Sequence, residues 1–410
     1  MAKFLIKGGY SLEGEIEVGG SKNAALPALA SSFLFKNQSI FLNFPEIEDI
    51  KRMRVLISSL DSEGKIDEDI AKRFRASILV VGLLLAKFGK TFFPHPGGCV
   101  IGARPIDVFI NGWRAMGAET EVYDKTAGGN LVYKVEAPGG IKGADYTFKT
   151  QSVTGTEGLM MTAVLAKGET ILRNCAMEPE IKFLADFLNI NGANIRGAGS
   201  TTMSIEGREG KMLDGRVPFT NPPDRIEAGT FAILGALAAK NLRIKNFPKE
   251  ELSSLLPILS SAGADFQISG NDFLIRHSNG LKSVSVKTKE YPGFATDLQA
   301  PFVVLASQAH GQSLIHETIF EGRLLYTENL SRMGANITLM DPHRAMISGP
   351  TKLYGRKLES PDLRAGLAFV IAAIIAEGES EIGNIYQIDR GYAKIDERLR
   401  AIGASIKRVN

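Results

Sequence analysis

DRIEAGTFAILGALAA at 224–239, followed at 261–266 by SAGADF, is the stretch from which the fold can be read. The first part is an apolar segment opened by an acid, which predicts an interior helix with Asp224 at its N-cap. The second is a Gly-Ala turn leading into a strand. The pair recurs: DLQAPFVVLASQA begins at Asp297 and leads to RMGANI, and DLRAGLAFVIAAIIA begins at Asp362 and leads to AIGASI. In both, the Asp occupies the N-cap slot. Ser152-Val153-Thr154 and Arg75-Ala76-Ser77 open two further helices, answered by INGANI and AMGAET, and Ser21-Lys22-Asn23 opens a sixth. The turn glycines Gly117, Gly192, Gly263, Gly334 and Gly403 follow one another at 75, 71, 71 and 69 residues. A period near 70 is one supersecondary unit, too small to bury a core alone, so several must pack together. If the units share one orientation, six helix N-termini collect unpaired N–H groups at one face, and such a face binds anions.

The first unit departs from the pattern. From each Gly-Ala turn to the next helix start the chain spends 28 to 35 residues, but from the equivalent slot at Asp61-Ser62 only 14 residues lead to Arg75. Two strands and a turn do not fit in that length at ~3.3 Å per residue. Either the first repeat lacks a hairpin, or a segment of the protein is missing from this sequence at that point.

Composition narrows the function classes. Lys plus Arg number 48 against 45 Asp plus Glu, a net charge of +3. That balance excludes a general polyanion surface, so no nucleic-acid partner is expected. ILVVGLLLA and LAFVIAAIIA are about half the length a membrane span needs, and MAKFLIKGGYSLEG lacks the apolar region of a signal peptide. No membrane partner is expected, and a cytoplasmic location is. The five histidines show no HxxxH or HxH spacing, and neither GxxxxGK[ST] nor GxGxxG occurs. No metal and no cofactor is expected.

Two cysteines among 410 residues cannot form a disulfide framework. Cys175, in ILRNCAMEPE, follows an apolar strand and reads as core packing. Cys99 lies in FFPHPGGCVIGARP, where Pro94, Pro96, Gly97, Gly98, Gly102 and Pro105 favour an exposed loop. A thiol five residues before Arg104 on a Gly-hinged loop suits a lid over an anion. GGSKNAAL at 19–26, taken alone, is an ordinary strand-to-helix turn.

Together these segments carry a resemblance. GGSKNAALPALAS, RASILVVGLLLAKFG, PGGCVIGARPIDV, SVTGTEGLMM, PDRIEAGTF, FATDLQAPF, FEGR, DLRAG and IDRGY stand in the order found in the UDP-N-acetylglucosamine 1-carboxyvinyltransferase family. The likeness runs from Phe4 to about Val409 and lapses only around 61–71. It implies a two-domain inside-out α/β barrel of six βαβαββ-like repeats, the first shortened, with substrates between the domains. Residues 22–222 would form one domain and 1–21 with 223–410 the other. It also implies transfer of the enolpyruvyl group of phosphoenolpyruvate to the 3′-hydroxyl of UDP-N-acetylglucosamine with release of phosphate, the first committed step of peptidoglycan synthesis. These two small molecules are the expected partners. Shikimate-type enolpyruvyl transferases share the architecture but typically carry an LPGDKS-like segment in place of VGGSKNAAL and lack a PGGC loop. A catalytically silent nucleotide-sugar-binding paralogue is the other alternative.

The resemblance also implies roles. Cys99 would be the general acid toward the methylene carbon, and Asp297 the group that holds and deprotonates the acceptor hydroxyl. Lys22, Arg104 and Arg390 would hold the phosphate, and Arg323 and Arg364 the carboxylate side. Asn23, Arg75, Pro105, Ile106, Asp107, Val108, Ser152, Val153 and Ile319 match positions that contact the nucleotide sugar, Asp107 as acceptor from the uracil imide.

Overall fold

The computed structural model describes residues 2–60, 65–98, 101–102, 105–124, 131–278 and 280–409. Its backbone divides into two compact units, one of 2–19, 101–102 and 223–409, the other of 20–98 and 105–222. In each unit three apolar helices pack together, with sheets outside them. In the first these are Arg225–Ala238, Gln299–Gln308 and Leu363–Ile375. Nearly every residue of each is buried, as an all-round apolar sequence requires. In the second unit Lys22–Ala30, Val81–Phe88 and Val153–Val164 play the same part. No helix among the described residues is long and apolar enough to cross a membrane.

Local capping follows the sequence at four of these helices. Asp224 accepts from the N–H groups of Ile226 and Glu227 at 2.8 and 3.0 Å, and Asp362 from those of Arg364 and Ala365 at 2.8 and 3.0 Å. Ser152 and Ser21 cap through their hydroxyls, toward Gly155 N–H and Ala24 N–H. Each such cap contributes about 1 kcal/mol. Asp297 does not follow. It lies within a 3₁₀ turn, Thr296–Leu298, and the succeeding helix begins without a side-chain cap. Two guanidinium groups take its carboxylate instead, because a charge-assisted bond outweighs a helix N–H.

The sheets repeat one plan: a parallel pair continued by two antiparallel pairs. Val286–Lys287, Gly311–His316, Arg344–Gly349 and Asn336–Asp341 follow it in that spatial order, as do Asp145–Thr147, Glu169–Arg173, Thr202–Glu206 and Asn194–Arg196. In a third sheet the third position, antiparallel to both its neighbours, is filled by the first described strand. Lys3–Lys7 lies between Glu379–Gly383 and Ser405–Val409, with Lys3 opposite Val409. Leu12–Glu17 then runs parallel to Ala239–Lys245 in a fourth sheet of the same unit.

The shortened repeat is visible in two places. Among the described residues Phe41–Leu42 pairs only with Phe219–Thr220, in parallel, in a two-stranded sheet without the antiparallel hairpin of the others. After the helix Glu48–Ser59 the next described pairing is a single parallel bridge from Lys65 to Phe92, at the edge of the three-stranded sheet built on Lys90–Pro94. The slot at Asp61-Ser62 lies outside the described residues. Ile40, Leu42 and Val55 are all about half exposed in this repeat.

Candidate active site

The second unit fixes Lys22 from both sides. Ser21 N–H donates to Pro222 O at 2.8 Å, and Asn221 Nδ2 donates to Ser21 O and Asn43 O at 3.0 and 3.1 Å. Gly20 is required there, since a Cβ would collide with Asn43 O. Lys22 Nζ meets Asp49 Oδ2 at 3.2 Å, with both side chains largely buried. Sequence reading missed Asp49. The signal was present: Asp49, Met53 and Leu56 share the buried face of the helix Glu48–Ser59, and an acid on an apolar face needs a partner.

A second cluster in this unit gathers most of the positions matched to the nucleotide sugar. Arg75 Nη2 donates to Pro105 O at 2.8 Å. Ile106 is buried at the N-terminus of the helix Asp107–Ala115, and Asp107 opens that helix exposed. The Val108 carbonyl accepts from Tyr146 Oη at 3.2 Å. A Cβ on Gly155 would touch both Ser152 and Val108, which places the first turn of Val153–Val164 against Val108. Burial and then the Asp107 charge raise the Tyr146 pKa. Asn23 follows Lys22 in its helix, partly buried. Cys99 and Arg104 lie outside the described residues. Cys175 is wholly buried, its thiol donates to Leu172 O at 3.3 Å, and burial pushes its pKa up to about 11.

Glu157, one turn beyond Ser152, is 1% exposed. Burial, then the charges of Glu180 and Glu178, raise its pKa well above the usual carboxylate range. A raised acid binds more protons folded than unfolded, so stability is highest below the unfolded pKa and falls as pH rises from there toward the folded value. Glu157→Gln should therefore be more stable than the parent at neutral pH and lose that slope, which is at most about 1.4 kcal/mol per pH unit. Urea midpoints from pH 5 to 8 test it. Equal slopes in the two proteins would refute the assignment.

In the first unit the sequence-distant residues Asp297, Arg323 and Arg364 meet. Asp297 Oδ1 accepts from Arg323 Nη2 at 2.8 Å, and Oδ2 accepts from Arg364 Nε and Nη2 at 3.0 and 2.9 Å. The arginines are 5% and 4% exposed, whereas the Asp297 side chain is 26% exposed. The carboxylate is thus the accessible tip of a buried cationic pair. Gly229 brings the helix Arg225–Ala238 against Leu298, since a Cβ there would lie 2.9 Å from Leu298 Cδ1, and so seats the Asp297 turn.

Arg364 is aimed by Tyr392. Its Nη1 donates to Tyr392 Oη at 2.8 Å, and its guanidinium lies 5.4 Å from the centre of that ring. Burial opposes the Arg364 charge, but Tyr392, Asp297 and Asp224 outweigh it and the pKa is raised. Ile319 donates its N–H to Glu317 Oε1 at 2.8 Å, and Arg323 Nη1 donates to Thr296 Oγ1 at 3.0 Å. Arg390, 7% exposed at the end of the short helix Tyr386–Asp389, donates to Gln387 Oε1 at 3.0 Å. Tyr392, Thr296 and Glu317 were missed from the sequence. A guanidinium held in place by such acceptors can present its remaining N–H groups to a carboxylate or phosphate.

The model of the EPSP synthase (3-phosphoshikimate 1-carboxyvinyltransferase) family matches residues 6–399. UDP-N-acetylglucosamine 1-carboxyvinyltransferase of Desulforapulum autotrophicum is 40% identical over 428 aligned positions, covering all of both chains, and that of Desulfatibacillum aliphaticivorans is 42% identical over 426, again covering both. These alignments exceed the 410 residues of this chain by 18 and 16 positions. Among solved structures, the enolpyruvyl transferase NikO from Streptomyces tendae superposes with a TM-score of 0.88 at 21% identity, covering 100% of this chain and 99% of that one. EPSP synthase from Acinetobacter baumannii gives 0.74 at 18%, covering all of both. These two likenesses are of fold.

Proposed function

Because the chain belongs to the EPSP synthase family and, within it, to the UDP-N-acetylglucosamine 1-carboxyvinyltransferases, we infer that it transfers the enolpyruvyl group of phosphoenolpyruvate to UDP-N-acetylglucosamine. The full-length identity of 40 to 42% carries this reading over the shikimate-type alternative, whose structures are alike only in fold. The acceptor atom would be the 3′-hydroxyl, and the product would feed peptidoglycan synthesis in the cytoplasm. Residues 22–222, and 1–21 with 223–410, would be the two domains between which the substrates bind.

The chemistry adds a hydroxyl to the central carbon of phosphoenolpyruvate while its methylene gains a proton, and then expels phosphate. Cys99 would supply the methylene proton, which requires it to be a thiol at that moment. Lys22, Arg104 and Arg390 would neutralise the phosphate. Arg323 and Arg364 would take the substrate carboxylate, and the paired geometry around Asp297 supports a specific sequence. In the structure Asp297 is their counter-ion. An incoming carboxylate offers the two guanidiniums another anion, which releases the exposed Asp297 tip to hold the acceptor hydroxyl and take its proton. The base would thus become competent only when the second substrate is present.

Wild-type protein should release phosphate from phosphoenolpyruvate only when UDP-N-acetylglucosamine is supplied. Binding of the nucleotide sugar without phosphate release would instead identify a silent paralogue. An epoxide phosphonate resembling phosphoenolpyruvate, such as fosfomycin, should alkylate Cys99 and spare Cys175. At pH 8 a thiol with a pKa of about 11 is about 0.1% thiolate, and this one is buried. Cys99→Asp should resist the reagent and retain turnover, since a carboxyl can still donate a proton. Peptide mapping of the adduct to Cys175 would contradict these roles.

A further inference from the structure

Glu317 follows the strand Gly311–His316 and is 0% exposed. A carboxylate in such a place is stable only if donors surround it. Its Oε1 accepts from the N–H groups of Ile319 and Phe320 at 2.8 and 3.2 Å and from the Thr288 hydroxyl at 3.0 Å. Its Oε2 accepts from the Thr296 hydroxyl at 2.8 Å. The Thr296 oxygen in turn accepts from Arg323 Nη1 at 3.0 Å, and Arg323 Nη2 continues to Asp297 Oδ1 at 2.8 Å.

We propose that Glu317 is a positioning residue of the transfer reaction, one oxygen fixing the 319–320 backbone and the other setting the direction of the Thr296 hydroxyl that aims Arg323 at Asp297. The proposal rests on the reading that Ile319, Arg323 and Asp297 serve the two substrates. Its physical core is the inventory of donors. A carboxylate only accepts, so the Thr296 proton must point to Glu317, and the lone pairs left over face the guanidinium. No neutral amide can accept at both oxygen positions at once.

Glu317→Gln separates the two oxygens. The amide carbonyl will settle at the Oε1 position, because two of its three donors are backbone N–H groups that cannot reverse. The amide nitrogen then faces Thr296, whose hydroxyl can reverse and become an acceptor from it. Arg323 loses an exclusive acceptor while the 319–320 backbone keeps its own.

The test uses the full chain as wild type, Glu317→Gln, Thr296→Val and the double variant. Phosphate release gives kcat and KM, calorimetry gives nucleotide-sugar affinity, and NMR follows the Arg323 guanidinium signals. In Glu317→Gln, kcat should fall about 10- to 100-fold while nucleotide-sugar affinity stays within about threefold. Thr296→Val, which leaves Glu317 in place, should lose kcat similarly and carries the same expectation should Glu317→Gln fail to fold. The double variant should be no slower than the slower single one, because both act on one link. Arg323 signals should shift in each.

A Glu317→Gln kcat within about threefold of wild type, losses that multiply in the double variant, or affinity falling as far as kcat would overturn the proposal. Wild-type protein without turnover would refute the transferase reading alone. The Arg323 signals would then decide, and their remaining unchanged in Glu317→Gln would overturn the positioning role.

Discussion

Asp297→Asn should cut turnover by about 10² to 10⁴ while leaving nucleotide-sugar affinity within about tenfold. The substitution removes the proton acceptor that the proposed mechanism assigns to Asp297. It also disturbs the cationic pair. An amide has one acceptor oxygen where the carboxylate offers separate oxygens to Arg323 and to Arg364, and its NH₂ would face one of the two guanidiniums. Leaving a buried charge without its partner costs roughly 3 to 5 kcal/mol. The variant should therefore melt earlier, and phosphoenolpyruvate, bringing its own carboxylate, should restore part of the loss. Turnover within tenfold of wild type, measured as phosphate release at saturating substrates, would remove Asp297 from the base role. A melting point unmoved by phosphoenolpyruvate would remove the counter-ion exchange.

Arg390→Ala should instead act on phosphoenolpyruvate, at a cost of about 2 to 5 kcal/mol, or about 30- to 5000-fold in affinity. The side chain is nearly buried and already held by Gln387, so little ordering entropy remains to be lost when an anion arrives. Arg390→Lys keeps the charge but not the planar fork, and should fall between wild type and Arg390→Ala. Nucleotide-sugar affinity should be unchanged in both. A KM for phosphoenolpyruvate that moves less than about threefold in Arg390→Ala would place the phosphate elsewhere.

What could be read directly from the chain was whatever is decided within a few residues. Asp224, Asp362, Ser152 and Ser21 cap helices because the N–H groups they satisfy lie two or three positions downstream. Asp297 begins an almost identical local pattern, D-L-x-A, and meets another fate. Its partners stand 26 and 67 residues away, and no periodicity reports them. The family resemblance supplied Asp297, Arg323 and Arg364 as site residues but not their mutual pairing. Glu317 and Thr296 gave no local sign, since an acid after a strand usually faces water. Lys22 needed the helix face of Asp49 to be read as an anomaly. The shortness of the span from Asp61 to Arg75 was legible from arithmetic alone, because strand length is fixed by backbone geometry.

The placement of Lys3–Lys7 between Glu379–Gly383 and Ser405–Val409 has a consequence for the order of events at the ribosome. All three helices and the sheets of the 20–222 unit come from one continuous stretch, so that unit can assemble while the rest of the chain is still being made. The other sheet cannot. Its inner strand is made before the whole of 20–222, and the neighbours on both its edges are made after it. Until Glu379–Gly383 and Ser405–Val409 have been made, Phe4 and Ile6, both buried in the finished fold, have no sheet to enter. Closure of a loop of about 400 residues is a modest thermodynamic cost but a late kinetic event, because its entropy grows only with the logarithm of length whereas non-local pairing slows folding. Lys3–Lys7 is thus a strand without its sheet partners while the intervening chain is made, and an unpaired strand edge is open to pairing with other chains.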